Sequence, residues 1–445
     1  MIEQMKPSGI DWIGNIPVAW DCKQIAFMTD SRSGGTPDRD NMEYWENGTI
    51  PWMSSGEVNK VNVYETEEKI TEAAIRGSSA KIIKANSVMV ALNGQGKTKG
   101  MSAILRIDSA CNQSLCAFSC HENKLHYEYL FWCFQTMYTY LRQMSGDDVR
   151  DGLAASYVKK QKIPVPNYNE QKAIATYLNS RCSLLDSIIT NLEKQIDALQ
   201  KYKKSLITET VTKGLDKSAP MKDSGIEWIG KIPEHWSIKR LKFMLESGSE
   251  SMKVGPFGSA LSGSDIIDEG KWVYNQRTVL DDNFAENTAF ISEEKFKEMR
   301  GFAVNAGDIL ITTRGTIGKV AIVPDPCEEG ILHPCIIKFR VNDSLILPEL
   351  LKIIFNESDF VKDQFTLMSN ATTIEVIYSY SLKDVILPVI PTEEQKGIYS
   401  YLKEKCETID DVLKTKKSEL EHIQQHKKSL IYEYVTGKKR VTEVK

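Results

Sequence analysis

Between residues 170 and 212 the chain has no Pro and no Gly, and apolar residues recur at Ile174, Leu178, Leu185, Ile188, Leu192, Leu199 and Leu206. The spacing is that of a heptad seam, interrupted by Arg181 and Gln195 and by an amphipathic Tyr202. A second stretch repeats the pattern at Ile398, Leu402, Ile409, Val412, Ile423 and Leu430, with Cys406, Leu413 and Leu420 as a neighbouring stripe. Pro166-Asn167 and Pro391-Thr392 mark the two starts, and Thr392 with Gln395 reads as a capping box. Roughly 43 residues at ~1.5 Å each make a rod of ~65 Å. Alone, such a helix exposes its seam. Antiparallel pairing within the chain is expected, because a whole domain separates the two; pairing with another chain is the alternative. The "KKSLI" stretches near the helix ends read as a solvated basic face over apolar Leu and Ile.

Period-two runs fill the rest. Residues 48–58, 87–105 and 111–120, and later 307–323 and 333–341, predict strands and hairpins. Helices are expected at 127–142 and from 348 to 355 onward.

The chain is written twice. "MKPSGIDWIGNIPVAW" (5–20) returns as "MKDSGIEWIGKIPEHW" (221–236), with eleven of sixteen positions identical at an offset of 216. "EQKAIATYLNSRC" from Glu170 matches "EQKGIYSYLKEKC" from Glu394, and "KKSLITETVT" (203–212) matches "KKSLIYEYVT" (427–436), both at an offset of 224. The segments between, 21–161 and 237–384, show little mutual similarity. A repeated frame therefore carries two different inserts. The openers read as hydrophobic staples, with Trp12, Ile13 and Trp20 packed on a neighbour and Gly and Pro shaping turns. Each opener follows a helix end, the first only if the C-terminus returns to the N-terminus.

The expected fold is α+β: two mixed, strand-rich domains joined by two long helices paired as an antiparallel coiled coil, in a pseudo-two-fold internal repeat. The divisions are 1–20 (opener), 21–161 (first variable domain), 162–220 (central helix and linker), 221–236 (second opener), 237–384 (second variable domain) and 385–445 (C-terminal helix).

Hydrophobic residues make up 41% and charged residues 26% of 445, ordinary for a soluble globular protein. No apolar run is long enough to span a bilayer. The N-terminus lacks the pattern of a signal peptide, and nine cysteines without framework spacing fit a reducing cytoplasm. A net charge of -4 argues against a protein that coats nucleic acid non-specifically, but leaves room for a local basic face.

Candidate chemistry centres on binding. "NGQGKTKG" (93–100) and "TRGTIGK" (313–319) fall in equivalent places. Gly96-Lys97-Thr98 suggests a nucleotide phosphate loop, yet Ala91 stands where that motif needs Gly, and a strand is expected next. Glycine-rich hairpin tips bearing Lys97, Thr98, Lys99, Arg314, Thr316 and Lys319 suit close approach to a DNA backbone or groove; a solvent-exposed turn accounts for each residue as well. Arg150, Asn370, Thr372 and Thr373, and the pair Gln276 and Arg277 on a strand-like run, are of types that read base edges or grip phosphates. Asn112 and Gln113 could read adenine, and a strand edge explains them too. Cys116, Cys120 and His121 form the one metal-like cluster; Cys116, Phe118 and Cys120 share a strand face, which favours burial over zinc. No adenine-methyltransferase motif, complete phosphate loop or His-centred triad is present.

With these residues assembled, the chain resembles the specificity subunit of type I restriction-modification systems over essentially its full length. The duplicated opener, the "IPVP…EQKAI" and "LPVIPTEEQKGI" boundaries and the paired helices carry the resemblance. So do "GGTPDRDNMEYWENGTIPWMSSGEV" (34–58), like the start of a target recognition domain, and "RGTIGKVAI" (314–322), like its inner hairpin. The resemblance implies that each target recognition domain reads one half of a split, asymmetric DNA site and that the helices fix the unread gap. It further implies two modification (methyltransferase) subunits using S-adenosylmethionine, and restriction subunits using ATP and Mg2+. This chain would be non-catalytic, cytoplasmic and without cofactor or metal of its own. The alternatives are an enzyme carrying its own methyltransferase, a coiled-coil adaptor unrelated to DNA, and a silent specificity subunit lacking active partners.

Overall fold

The computed structural model describes residues 4–94, 96–144, 152–248, 251–257, 260–369 and 376–441. The chain divides into two units, Met1–Leu192 with Ser418–Lys445, and Glu193–Lys417. Each unit holds one opener, one variable segment and part of both long helices, Tyr168–Lys213 and Thr392–Val435.

In the first unit the opener is a small antiparallel hairpin, Met5–Pro7 against Asn15–Pro17. Strands Asp21–Gln24 and Lys162–Val165 pair where the variable segment leaves and rejoins the frame, Ile163 opposite Lys23. Between them a five-stranded sheet runs in the order Thr29–Ser33, Leu115–Cys120, Val88–Ala91, Ser102–Leu105, Asn62–Val63, beside a three-stranded sheet of Ala110–Cys111, Ile50–Met53 and Glu68–Ile70. Alternation along the strands serves two cores. Val88, Val90, Ile104, Cys116 and Phe118 face the helix Tyr127–Met144, whereas Met89, Ala91, Ala103, Leu105, Leu115 and Ala117 face the other way.

The second unit uses the same plan. Its opener pairs Met221–Asp223 with Lys231–Pro233, and Ser237–Arg240 pairs with Ile386–Val389. A four-stranded sheet (Met252–Val254, Ile336–Phe339, Ile309–Thr312, Val320–Ile322) lies beside a three-stranded one (Phe290–Ile291, Lys271–Tyr274, Gly330–Leu332). Two helices, Pro348–Glu357 and Phe360–Ser369, stand where the first unit has one. Duplication therefore extends to the variable segments at the level of fold, although their sequences have diverged. A sheet needs only its alternation kept, not its residues. The strands expected across 48–58 are half replaced by the 3-10 helix Ser55–Lys60.

The long helices pair antiparallel within each unit. In the first, Lys427 bonds to Asp186, and the Tyr177 and Tyr434 rings lie 4.5 Å apart. In the second, Lys203 bonds to Asp410 at 2.8 Å. The inward column Leu178, Leu185, Leu192, Leu199, Leu206 is the expected one. The other column is shifted by one residue. Cys182, Ile189, Ile196 and Lys203 turn inward, while Ile188 is 37% exposed. On the partner helix Cys406, Ile409, Leu413, Leu420 and Ile423 line the seam, and Val412 is 40% exposed. A 4-3 repeat fits two phases that share one column, and pairing selects the phase with more apolar volume.

Two further expectations change. Lys203 is no solvated surface residue. It is 7% exposed and also bonds to Glu357 at 2.7 Å. Burial lowers its pKa, but the bonds to Asp410 and Glu357 outweigh this and keep the ammonium charged. Gln395 forms no capping box. It is buried, its amide donating to the carbonyls of Leu345 and Ile390 and accepting from the Leu347 N–H. Gln171 does the same with Lys124, Pro166 and His126. Each glutamine thus ties the start of a long helix to the loop that leads into the helix packed on its sheet. Asn167 does cap the first long helix, accepting from the Glu170 N–H at 3.0 Å.

The seam phase predicts that Leu413→Gln, which puts an amide into the buried stripe, costs about 2 kcal/mol or more. Val412→Gln, on the adjacent exposed position, stays within about 0.5 kcal/mol. Urea unfolding of the two variants checks this; equal losses contradict the assignment.

Candidate nucleic-acid interface

Both glycine-rich stretches are hairpin tips. Residues 93–100 join the antiparallel strands Val88–Ala91 and Ser102–Leu105, and 313–319 join Ile309–Thr312 and Val320–Ile322. A strand follows the first tip, so no helix N-terminus is available for a phosphate, in agreement with the rejected nucleotide reading.

The second tip is rigidly built. Gly318 N–H donates to the Thr312 carbonyl at 2.8 Å, and Thr312 Oγ1 accepts from the Lys319 N–H at 3.0 Å. Gly315 and Gly318 hold φ of +65 and +77, which side chains resist. Gln276 donates to the Arg314 carbonyl at 2.7 Å, so it supports the tip from beneath. Gln276 and Arg277 do not lie on a strand. They begin the short helix Gln276–Leu280, capped by Asn275, because an Asn side chain satisfies the first helical N–H groups better than a strand would. Arg314 is exposed, with its backbone bridged to Val376, and Thr316 and Arg277 are exposed as well. Lys319 is half-buried, and its ammonium donates to the Asn356 carbonyl at the end of the helix Pro348–Glu357. It therefore braces the hairpin, a cation at a helix C-terminus.

The first tip is held from the side. Tyr138 Oη donates to the Lys97 carbonyl at 2.7 Å, and Arg142 donates to the carbonyls of Gly96 and Lys99. Lys97 is exposed and Thr98 half-buried, but Lys99 is only 7% exposed, so its ammonium is not offered to a ligand surface. Asn112 and Gln113 lie not on a strand edge but in the turn between Ala110–Cys111 and Leu115–Cys120, where Asn112 accepts from the Ser114 N–H and Gln113 from the Thr36 hydroxyl. Arg150, Asn370, Thr372 and Thr373 lie outside the described residues.

The structure thus gathers Arg277, Arg314, Thr316 and the supporting Gln276 at one edge of the second unit. Lys97 and Thr98 stand at the matching tip of the first. Sequence reasoning missed the clamps Tyr138, Arg142 and Asn356; a helix face gives no sign of the loop it will grip. It also missed Gln171 and read Gln395 as a cap, although their recurrence within "EQK" was a usable signal.

Cys116 and Cys120 lie in the strand Leu115–Cys120, where burial pushes their thiols up to about 11 and about 12. Among the described residues no group of three or more His, Cys, Asp or Glu is placed to hold a metal ion. Nor, among them, is any helix long and apolar enough to cross a membrane.

The tip geometry predicts that Arg314→Ala weakens retention of duplex DNA by about 1–3 kcal/mol and lowers its salt dependence by about one counterion. Lys99→Gln leaves retention unchanged. A salt series of binding measurements separates the two; a larger loss from Lys99→Gln contradicts the placement.

Comparison with known proteins gives one family. The type I restriction modification DNA specificity domain matches residues 17–198 and again 234–422. The specificity subunit of a type I restriction enzyme of Escherichia coli is 34% identical over 178 residues, covering 38% of this chain and 42% of that protein. The chain thus matches less than half the length of that relative. A type I restriction enzyme specificity subunit of Methanocaldococcus jannaschii is 27% identical over 318 residues, covering 70% of each. A chain from a solved structure concerning assembly and conformational transition of the type I R-M system has the same fold, with a TM-score of 0.68 at 16% identity, over 95% of this chain and 99% of that one. With the domain matched twice, over the same two copies that the repeat and the paired units define, the chain belongs to the family of type I restriction modification DNA specificity domains.

Proposed function

We propose that this chain chooses the DNA sequence for a type I restriction-modification complex and performs no chemistry itself. Each variable domain reads one half of a split, asymmetric site, and the paired long helices set the unread gap between the halves. Two modification subunits dock on the repeated frame and methylate adenines with S-adenosylmethionine. Restriction subunits add ATP- and Mg2+-dependent translocation and cleavage. The complex works in the cytoplasm.

One observation carries this reading: the opener and both ends of the long helix recur at constant offset, while the two domains the frame carries share a fold and not a surface. A repeated frame suits a partner and a double helix that are each met twice. Divergent surfaces suit two half-sites of different sequence. The exposed Arg314 and Thr316 at one hairpin edge, and Lys97 at the other, supply side chains suited to phosphates and base edges, whereas the nearby Arg277 is exposed but paired with Asp281 at 3.2 Å.

Replacing residues 21–161 by the corresponding domain of another family member tests it. Methylation mapping is expected to show one half of the recognised sequence changed, with the other half and the gap length kept. A change in both halves contradicts the two-reader assignment.

A further inference from the structure

The two copies share more than their openers. At the same offset of 216, "FM" recurs as Phe27-Met28 and Phe243-Met244. Identity between the copies is usually explained by packing. Ile16 and Ile232, Trp20 and Trp236, Met28 and Met244, and Leu178 and Leu402 are all buried. Phe27 and Phe243 depart furthest from this, at 70% and 63% exposed, against 38% for each of Met5 and Met221. A single exposed Phe needs no explanation. The same Phe, kept in solvent at the same place in two otherwise diverged surfaces, does.

Its presentation is rigid in both copies. Each Phe ends a one-turn 3-10 helix, Ile25–Phe27 or Leu241–Phe243. The buried first residue of that turn donates its N–H to the carbonyl of Gln161 (3.0 Å) or Val385 (2.7 Å). The buried methionine after the Phe closes the turn back onto Ile25 (3.0 Å) or Leu241 (2.8 Å). With the first residue of the turn and the methionine after the Phe both buried, the turn carries the ring outward. A fixed aromatic loses little entropy on being covered, which is the property of an interface anchor.

The nearby charges argue for protein rather than DNA. Beside Phe243, Lys242 and Arg240 share the one carboxylate of Asp384, at 3.2 and 3.1 Å, and Lys242 lies 5.3 Å from the ring. Before Phe27, Lys23 is paired with Asp21 at 3.7 Å. Cations held by a neighbouring carboxylate grip phosphate less well than free ones. They suit the polar rim around an apolar anchor.

From these observations we infer that Phe27 and Phe243 are twin docking anchors for one protein partner bound in two copies, one per unit, each copy receiving a ring in an apolar pocket. The inference rests on the function proposed above, in which that partner is the modification subunit.

The test uses the full-length chain mixed with its modification subunit, read by native mass spectrometry and titration. The wild-type chain is expected to bind two copies. Phe27→Ala and Phe243→Ala each bind one copy tightly and the other about 30-fold more weakly. The double variant binds neither tightly, while its thermal midpoint stays that of the wild type because the rings are solvent-exposed. Two copies bound by the double variant with unchanged affinity overturn the anchors and leave the proposed function standing. A wild-type chain that recruits no modification subunit overturns the anchors and the proposed function together.

Discussion

A tryptophan buried against the end of a long helix closes each unit. Trp236 packs on Gly214, which follows the first long helix with a φ of +74; a Cβ there would meet the ring at 3.2 Å. Trp20 packs on Gly437 after the second long helix, where φ is +70 and a Cβ would meet Pro17 and the ring within 2.9 Å. Glycine is needed twice over, for the left-handed turn and for the close approach. The helix end, the opener and the variable domain share one core, with Ile207, Val211 and Trp236 in one copy and Ile13, Trp20 and Val435 in the other. Truncating such a ring typically costs about 3–5 kcal/mol.

Polar contacts then lock what the tryptophans bring together. Glu394 accepts from His235 (2.6 Å) and from the Trp236 indole (3.1 Å), tying the start of the second long helix to the opener. In the other copy Glu170 pairs with Arg440, and Tyr432 donates to the Ile13 carbonyl. The residues after them, Gln171 and Gln395, clamp the loops that lead into the packed helices. The "EQK" triplet is thus a joint. Its glutamate holds the frame and its glutamine holds the reader. This geometry keeps each variable domain at a fixed place on its own pair of helix segments, a requirement for any protein that must present a base-reading edge at a set position.

Much of this was legible in the sequence because repetition is a strong signal. The openers, the helix pair and the return of the C-terminus to the first opener follow from residues that recur at constant offset. Strand faces were legible where alternation was strict, as at Cys116 and Phe118. The seam phase was not, since Leu178, Leu185, Leu192, Leu199 and Leu206 belong to both phases and only the partner helix decides. Lys203 looked like surface because an isolated lysine gives no hint of Asp410 and Glu357, which arrive from distant parts of the chain. The same holds for Lys99 and Lys319. Hairpin-tip lysines look alike in sequence, and only tertiary packing separates Lys97, which faces solvent, from the buried Lys99 and from Lys319, which braces the hairpin.

The central claim is that two readers on one frame specify a single gapped site. Single-molecule methylation sequencing of host DNA, with and without this gene, tests it most directly. The account predicts that methylated adenines disappear from one bipartite motif with a fixed gap, and from no other. Loss of methylation at a continuous, ungapped motif, or no loss in a host whose modification subunit is active, would contradict it.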